Sequence, residues 1–163
     1  MSKKWYHLRW KLAMKGTLAF LGEKGRMRGL PGAGAVRLLL VEFIAVDRFH
    51  RALAFPFIKG WCRARGIPAT WTRWGLPASQ QFELGETGIG LAGGDLRALV
   101  RTLRQERPTH VLLDRLPSRP LIATLRRACP TARLGCASAE GGHAGMTVVE
   151  AENVRALAGW LGL

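Results

Sequence analysis

The feature that most constrains the fold is a near-continuous apolar run from Arg37 to Val46. Within it Leu38 to Val41 are aliphatic without interruption, and Phe43 and Ile44 follow a single Glu42. A strand that is apolar on both of its sides must be covered on both faces, which is typical of a parallel sheet with helices above and below. The run therefore predicts the first and central strand of an α/β sheet.

The rest of the chain alternates short apolar runs with helical patterns. Further strands are predicted at Ala69 to Trp74, Thr109 to Asp114, Ala132 to Ala137 and Met146 to Val149, and helices at Arg48 to Arg65, Asp95 to Arg107, Arg119 to Ala128 and Asn153 to Leu163. Pro56 should kink the first helix or delay its start. Leu76 to Gly94 is typical of a loop, with a short strand possible at Gln81 to Leu84. The alternation predicts an α/β fold, Rossmann-like or flavodoxin-like, with a mostly parallel sheet flanked by helices.

Two regions are expected. Residues 1–35 form a basic helical extension and linker, because apolar residues recur there at near-helical spacing between lysines and a glycine-rich run follows. Residues 36–163 form the Rossmann-like ligand-binding domain. A chain of 163 residues with 48% apolar and 22% charged residues can bury a core of its own.

Charge is the unusual property of the composition. The chain holds 25 Lys and Arg against 11 Asp and Glu, a formal net charge of +14. Such an excess attracts anionic partners such as nucleic acid or an acidic protein surface, and it is also what a GC-rich genome, which encodes many arginines, would produce without any such partner. Candidate cations for an anionic partner are those of the basic N-terminal segment: Lys3, Lys4, Lys11, Lys15 and Arg26.

Cysteine usage and hydropathy indicate a cytoplasmic protein. The three cysteines, Cys62, Cys129 and Cys136, form no CxxC pair, so buried thiols in a reducing compartment are expected. No run approaches the roughly 20 apolar residues that a transmembrane helix needs. The N-terminus lacks the long apolar core and cleavage site of a secretory signal.

Candidate binding residues follow from where the strands end. In open parallel sheets, ligands bind at the carboxyl ends of the strands, where the strand order reverses. The loops there predict cofactor-binding residues at Asp47, His50, Asp114, Ser118, Ser138, Gly141, Gly142 and His143. Ser118 can also cap the following helix. The alternative reading of Asp47 and His50 is a capping residue and a solvated histidine, and that of the double glycine is a plain turn. No catalytic or metal-ligating set is predicted.

A second glycine pattern leaves another reading open. Gly88, Gly90 and Gly93 satisfy GxGxxG ahead of a helix, and Asp114 ends the next strand, as in a dinucleotide site. The residues before Gly88 are polar, however, with Glu83 and Glu86 where a buried strand should lie. A nucleotide site and a simple loop both remain possible interpretations.

Several segments together form a pattern that known proteins share. They are Phe57 to Ile67, Arg107 to Leu113, Arg126 to Leu134, the double glycine before His143, and Val148 to Leu157. In these segments the chain resembles the cobalamin-binding domain that precedes the radical SAM domain in many cobalamin-dependent radical SAM proteins. The resemblance covers about Val36 to Leu163. It implies a corrinoid at the carboxyl edge of the sheet and a radical SAM domain or protein as partner.

Two departures from the family pattern limit what the resemblance implies. The Asp-x-His-x-x-Gly motif is absent, because two residues separate Asp47 from His50, so a histidine ligand to cobalt is not implied. The chain has no CxxxCxxC for an iron–sulfur cluster, so radical chemistry would reside elsewhere. The leading hypothesis is a cobalamin-binding domain; the alternatives are a basic interaction module for nucleic acid or an acidic protein, and a small nucleotide-binding protein.

Overall fold

A computed structural model of the chain describes residues 35–44, 54–75, 81–83, 89–91, 93–137, 146–151 and 153–163. The described elements alternate along the chain as the sequence predicts. In order they are β1 (Leu38–Ile44), α1 (Phe55–Arg63), β2 (Ala69–Gly75), β3 (Gln81–Glu83), β4 (Ile89–Leu91), α2 (Gly93–Glu106), β5 (His110–Leu113), α3 (Arg119–Ala128), β6 (Arg133–Cys136), β7 (Thr147–Val148) and α4 (Val154–Leu161). The predicted N-terminal extension, residues 1–35, lies outside the described residues except for Ala35.

Five strands form one parallel sheet in the order β2-β1-β5-β6-β7. Numbered along the chain, these five strands have the order 2-1-3-4-5, which is the flavodoxin-like version of the doubly wound fold. The predicted fold class is confirmed, and the order decides between its two variants. β1 is central, paired with β2 on one side and β5 on the other. The strand order therefore reverses between β1 and β5.

The core has two layers because β1 is apolar on both sides. Leu38 and Leu40 pack in the layer that includes α1 and α4. Leu39 and Val41 pack in the opposite layer, with α2 and α3. Alternate side chains of a strand point to opposite faces of the sheet, so an uninterrupted aliphatic run supplies both layers at once.

The helix boundaries follow local chemistry. α1 begins late, with Pro56 in its first turn, where the missing backbone N–H costs nothing. Ser118 and Asn153 cap α3 and α4 through their side-chain oxygens. α4 ends at Leu161 and is followed by Gly162, whose φ of 78° is left-handed and suits glycine. Among the described residues no helix is long and apolar enough to cross a membrane.

The segment between β2 and α2 contains β4, a strand that the sequence pattern did not predict. β4 pairs antiparallel with β3, which corresponds to the short strand predicted at Gln81 to Leu84. The two strands form a sheet separate from the parallel one. Leu91 of β4 is buried against the α2–α3 layer, so this ribbon is attached to the core through an apolar side chain.

Gly135 in β6 permits a close approach of α4 to the sheet. A Cβ at this position would lie 2.8 Å from Cζ2 of Trp160 and 2.9 Å from Cγ2 of Val149. Both distances are shorter than ordinary carbon contacts of roughly 3.5 Å or more. The absence of a side chain at Gly135 is therefore what lets the indole of Trp160 lie against the sheet.

All three cysteines are buried, and none is in a disulfide. Cys62 lies in the α1–α4 layer, whereas Cys129 and Cys136 lie in the α2–α3 layer. Burial raises the pKa of Cys62 to about 12 and also raises the pKa of Cys129. The thiols of Cys62 and Cys129 are therefore protonated at neutral pH and behave as small apolar side chains.

Candidate functional site

Asp114 joins the two central strands at the point where the strand order reverses. β5 ends at Leu113, and the backbone N–H of Asp114 still donates to the carbonyl of Val41 at 3.0 Å. Beyond this point the side chain makes the next hydrogen bond to β1: Oδ1 of Asp114 accepts the backbone N–H of Phe43 at 3.0 Å. An amide of β1 that would otherwise be buried without a partner is satisfied by a carboxylate.

The carboxyl group of Asp114 is buried, with only 4% of the residue exposed. Burial raises its pKa to about 6, although the Phe43 amide and the neighbouring Arg115 lower it and Glu42 raises it. The Arg115 side chain is buried as well, and its Nε lies 3.4 Å from Oδ2 of Asp114. The carboxyl therefore changes charge close to neutral pH, which is common at functional sites.

A second carboxylate, Glu42, lies on the same edge of the sheet. It is 9% exposed, and its Oε2 accepts hydrogen bonds from Nε1 of Trp71 at 3.0 Å and from Nε of Arg73 at 2.9 Å. The guanidinium of Arg73 lies 5.1 Å from the centre of the Trp71 ring. The strand register explains why the side chains of Glu42 and Arg73 are in contact, because the two residues are paired across β1 and β2. The carboxyl edge thus holds two charged clusters, one at Glu42 and one at Asp114.

Trp74 carries a hydrogen-bond donor and packs against the α2–α3 layer. It lies opposite Phe43 in the β1–β2 register, at the carboxyl end of β2. Its indole Nε1 is buried and has no hydrogen-bond partner among the described residues. A buried donor without an acceptor costs roughly 1–3 kcal/mol, so an acceptor that reached this nitrogen would be bound favourably.

Ser118 has a structural role in this structure. It is 1% exposed, and its Oγ accepts the N–H of Leu121 at 3.4 Å as the N-cap of α3. The hydroxyl therefore serves the helix start, which was the alternative that the sequence left open. It stays close in sequence to Asp114 and belongs to the same β5–α3 loop.

The other predicted binding residues lie outside the described residues. These are Asp47, His50, Ser138, Gly141, Gly142 and His143. The described chain stops at Ile44 before the first of these segments and at Ala137 before the second. Ile44 is the last residue of β1, and Ala137 directly follows β6.

The glycine pattern of the nucleotide hypothesis does not have the geometry of a dinucleotide fingerprint. Gly90 is a residue of β4 and pairs with Phe82 in the antiparallel ribbon, and Gly93 is the first residue of α2. The fingerprint requires the first glycine turn to follow a strand of the parallel sheet. β3 and β4 are not strands of that sheet. Gly88 lies outside the described residues.

The amino edge of the sheet holds a different cluster. His110 is buried at the start of β5, its Nδ1 lies 2.9 Å from Oγ1 of Thr109, and its ring meets the Trp160 ring edge to face at 5.0 Å. Burial lowers its pKa, and the charge of Arg133 lowers it further. A neighbouring cleft of about 590 Å³ is lined by Arg126, Arg133 and Trp160 among others. The imidazole is therefore neutral and structural at neutral pH.

Within the described part of the chain no three His, Cys, Asp or Glu side chains come close enough to hold a metal ion. The sequence pattern alone did not mark Glu42, Arg73, Trp74 or Arg115 as site residues. Glu42 had the clearest signal, since a lone carboxylate within an apolar strand needs partners if it is buried. The others depend on strand register and on side-chain direction, which the sequence pattern does not give.

Comparison of the chain with family models, with curated proteins and with solved structures gave no match.

Proposed function

We propose that this chain is a ligand-binding domain whose ligand, a corrinoid, lies over the carboxyl edge of the parallel sheet where β1 and β5 meet. The strand order supports this position, because doubly wound folds bind ligands where the order reverses. The resemblance to the cobalamin-binding domains of radical SAM proteins supports the ligand class. An iron–sulfur cluster that works with the corrinoid would then belong to a partner domain or protein.

The observation that carries the proposal is Asp114 at the reversal point. Its carboxyl is held in place by the Phe43 amide and Arg115, and its pKa is raised to about 6. Near neutral pH this carboxyl group exists both ionised, when it accepts hydrogen bonds, and protonated, when it also donates one. It can therefore pair with either the N–H or the carbonyl oxygen of an amide. A corrinoid presents many amide side chains and a phosphate, which suits an edge rich in polar groups.

The described residues fit the periphery of a corrinoid and supply no ligand for its metal. Asp114 and the unpartnered indole N–H of Trp74 would hold carboxamide or phosphate oxygens. His110 is the histidine that the structure describes, and it lies at the amino end of β5, the opposite edge of the sheet. A bound corrinoid supplies radical or methyl-transfer chemistry through its cobalt; the part of this chain that the structure describes contributes binding and orientation.

The direct test is retention of hydroxocobalamin. Purified full chain is mixed with it and desalted, and the visible spectrum of the protein fraction is recorded. One corrinoid per chain is expected, with weaker retention by Asp114→Asn and by Trp74→Phe. Glu106→Gln, at the last residue of α2 and beside Thr70 at the amino end of β2, is the matched control and should retain the corrinoid as the wild type does.

A colourless wild-type fraction would refute corrinoid binding by this chain. Retention that is equal in all variants would refute the assignment to Asp114 and Trp74. Urea unfolding of each variant separates loss of binding from loss of fold, since only folded variants enter the comparison.

A further inference from the structure

The outer surface of α2 and α3 carries a set of arginines that the proposed corrinoid site does not use. We call it the arginine face, and it consists of Arg97, Arg101, Arg104, Arg119 and Arg126, all exposed. The buried residues of the same helices are leucines and an isoleucine that face the sheet. The arginines lie on the opposite side of each helix, because helical positions repeat every 3.6 residues.

The spacing is the same on both helices. Arg97 and Arg104 are seven residues apart on α2, and Arg119 and Arg126 are seven apart on α3. Seven residues correspond to about 10 Å along a helix, and packed neighbouring helices lie roughly 8–10 Å apart. α2 and α3 both cover the same side of the sheet. Neighbouring members of the face are therefore spaced by about one Debye length at 0.1 M salt, so that the potentials of neighbours add in part.

Acidic groups on α2 do not neutralise the three arginines of that helix. Among the described residues, Arg97, Arg101 and Arg104 take part in no ion pair, unlike Arg73 and Arg115 at the carboxyl edge. The acidic residues of α2 are Asp95 in the first turn and Glu106, which accepts a hydrogen bond from Thr70. Like charges at helical spacings of three and four residues destabilise a helix slightly, so the arrangement does not serve the fold.

The face lacks the apolar anchors that protein partners and membranes use. The exposed large apolar side chains of the described residues are Phe57 on α1 and Val148 on β7, and neither lies on α2 or α3. Protein interfaces are centred on buried aromatic or aliphatic anchors, and peripheral membrane helices insert an apolar face. A phosphodiester backbone needs neither, because its affinity comes from phosphate contacts and the release of counterions.

We propose that the arginine face binds the phosphate backbone of nucleic acid without reading its sequence. Arginine suits this role, since its planar guanidinium can donate two parallel hydrogen bonds to one phosphate. Arg126 also lines the cleft beside Arg133 and Trp160, so the cationic surface continues from α3 toward the amino edge. The proposal does not depend on a corrinoid, whose site lies at the carboxyl edge.

The test compares two triple variants of the full chain for binding to a fluorescein-labelled 20-nucleotide single-stranded DNA of mixed sequence. The first variant is Arg97→Gln, Arg101→Gln and Arg104→Gln on α2. The second, with the same change of charge, is Lys59→Gln, Arg63→Gln and Arg155→Gln on α1 and α4, the opposite face. Anisotropy is measured from 0.05 to 0.3 M salt, and far-UV circular dichroism confirms that each variant is folded.

We expect the α2 variant to lose on the order of 100-fold in affinity at 0.1 M salt, because each phosphate contact to a single strand contributes about fivefold there. Its salt dependence should also become shallower by about two units of slope. The control should lose less than about fivefold. Arg→Lys at the three α2 positions keeps the charge and should retain most of the binding, which excludes a folding defect as the cause of the loss.

Equal losses in the two glutamine variants would overturn the proposal, because binding would then follow net charge and not this face. Absence of salt-dependent binding by the wild type would overturn it too. Tighter binding to polyglutamate, or to vesicles containing phosphatidylserine, than to the oligonucleotide would assign the face to another class of partner.

Discussion

Replacement of Gly135 by alanine should destabilise the protein, although the same change in open space would stabilise it. The new Cβ would meet Cζ2 and Cε2 of Trp160 at 2.8 and 3.0 Å and Cγ2 of Val149 at 2.9 Å. Val149 is buried and the Trp160 ring is partly buried against the core, so neither can move away without losing packing contacts. Overpacking of this kind costs roughly 1–3 kcal/mol.

The favourable part of the change is smaller. Alanine restricts the unfolded chain and contributes about 0.4–1 kcal/mol of stability where no clash occurs. The net loss in the free energy of unfolding should therefore be about 1–2 kcal/mol. For a chain of this size that corresponds to a fall in Tm of roughly 2–8 °C.

Urea unfolding followed by far-UV circular dichroism measures this free energy, and Gly60→Ala is the matched control. Gly60 is inside α1, and a Cβ there meets nothing within 4 Å. Alanine should stabilise that helix by up to about 1 kcal/mol. In a Trp160→Leu background the cost of Gly135→Ala should shrink, since most of the clash is with the ring. A Gly135→Ala protein as stable as the wild type would refute the argument that the glycine admits the indole.

Three further outcomes are expected from unfolding measurements. In the folded state the pKa of Asp114 is raised from 3.8 to about 6. Protonated Asp114 therefore stabilises the fold fully at pH 3.8 and below, and the free energy of unfolding should fall by about 3 kcal/mol as the pH rises through 6. Asp114→Asn should remove this pH dependence, and an unchanged profile of stability against pH would contradict the raised pKa. In the folded state the pKa of His110 is lowered from 6.5, so neutral His110 contributes stability above pH 6.5 that is lost as the pH falls through the folded pKa. His110→Phe should reduce the fall of the free energy of unfolding on the acid side. An identical acid side in this variant would argue against a buried neutral imidazole. Ser118→Ala should cost about 1 kcal/mol through loss of the α3 cap, whereas a cost near zero would mean that the long 3.4 Å contact contributes little.

The sequence predicted the fold well because the fold rests on local patterns. The aliphatic run after Arg37 identified β1 as central, and Ser118 with Pro120 placed the start of α3 at Arg119, where the structure has it. β4 was missed, since Ile89 to Leu91 is a short pattern among glycines and is a strand through its pairing with β3. Strand order was open for a related reason, because it depends on crossovers and not on the pattern of any one strand.

The candidate site was predicted only in outline. Asp114 was found because it follows a buried strand, but its role in completing the hydrogen bonds of β1 needs the register of β5 against β1. The same holds for Glu42, whose partners come from β2, about thirty residues further along the chain. Contacts across strands decide which side chains meet at the carboxyl edge, and a single sequence does not contain them.

The three buried thiols make the chain a reporter of its own opening motions. A small alkylating reagent can react with Cys62 only when the α1–α4 layer separates from the sheet, and with Cys129 or Cys136 only when the α2–α3 layer does. Because thiolate is the reactive form and burial suppresses it, the closed protein should be almost inert. Peptide mapping of the modified cysteines over time would therefore show whether the two sides of the sheet open together or in succession.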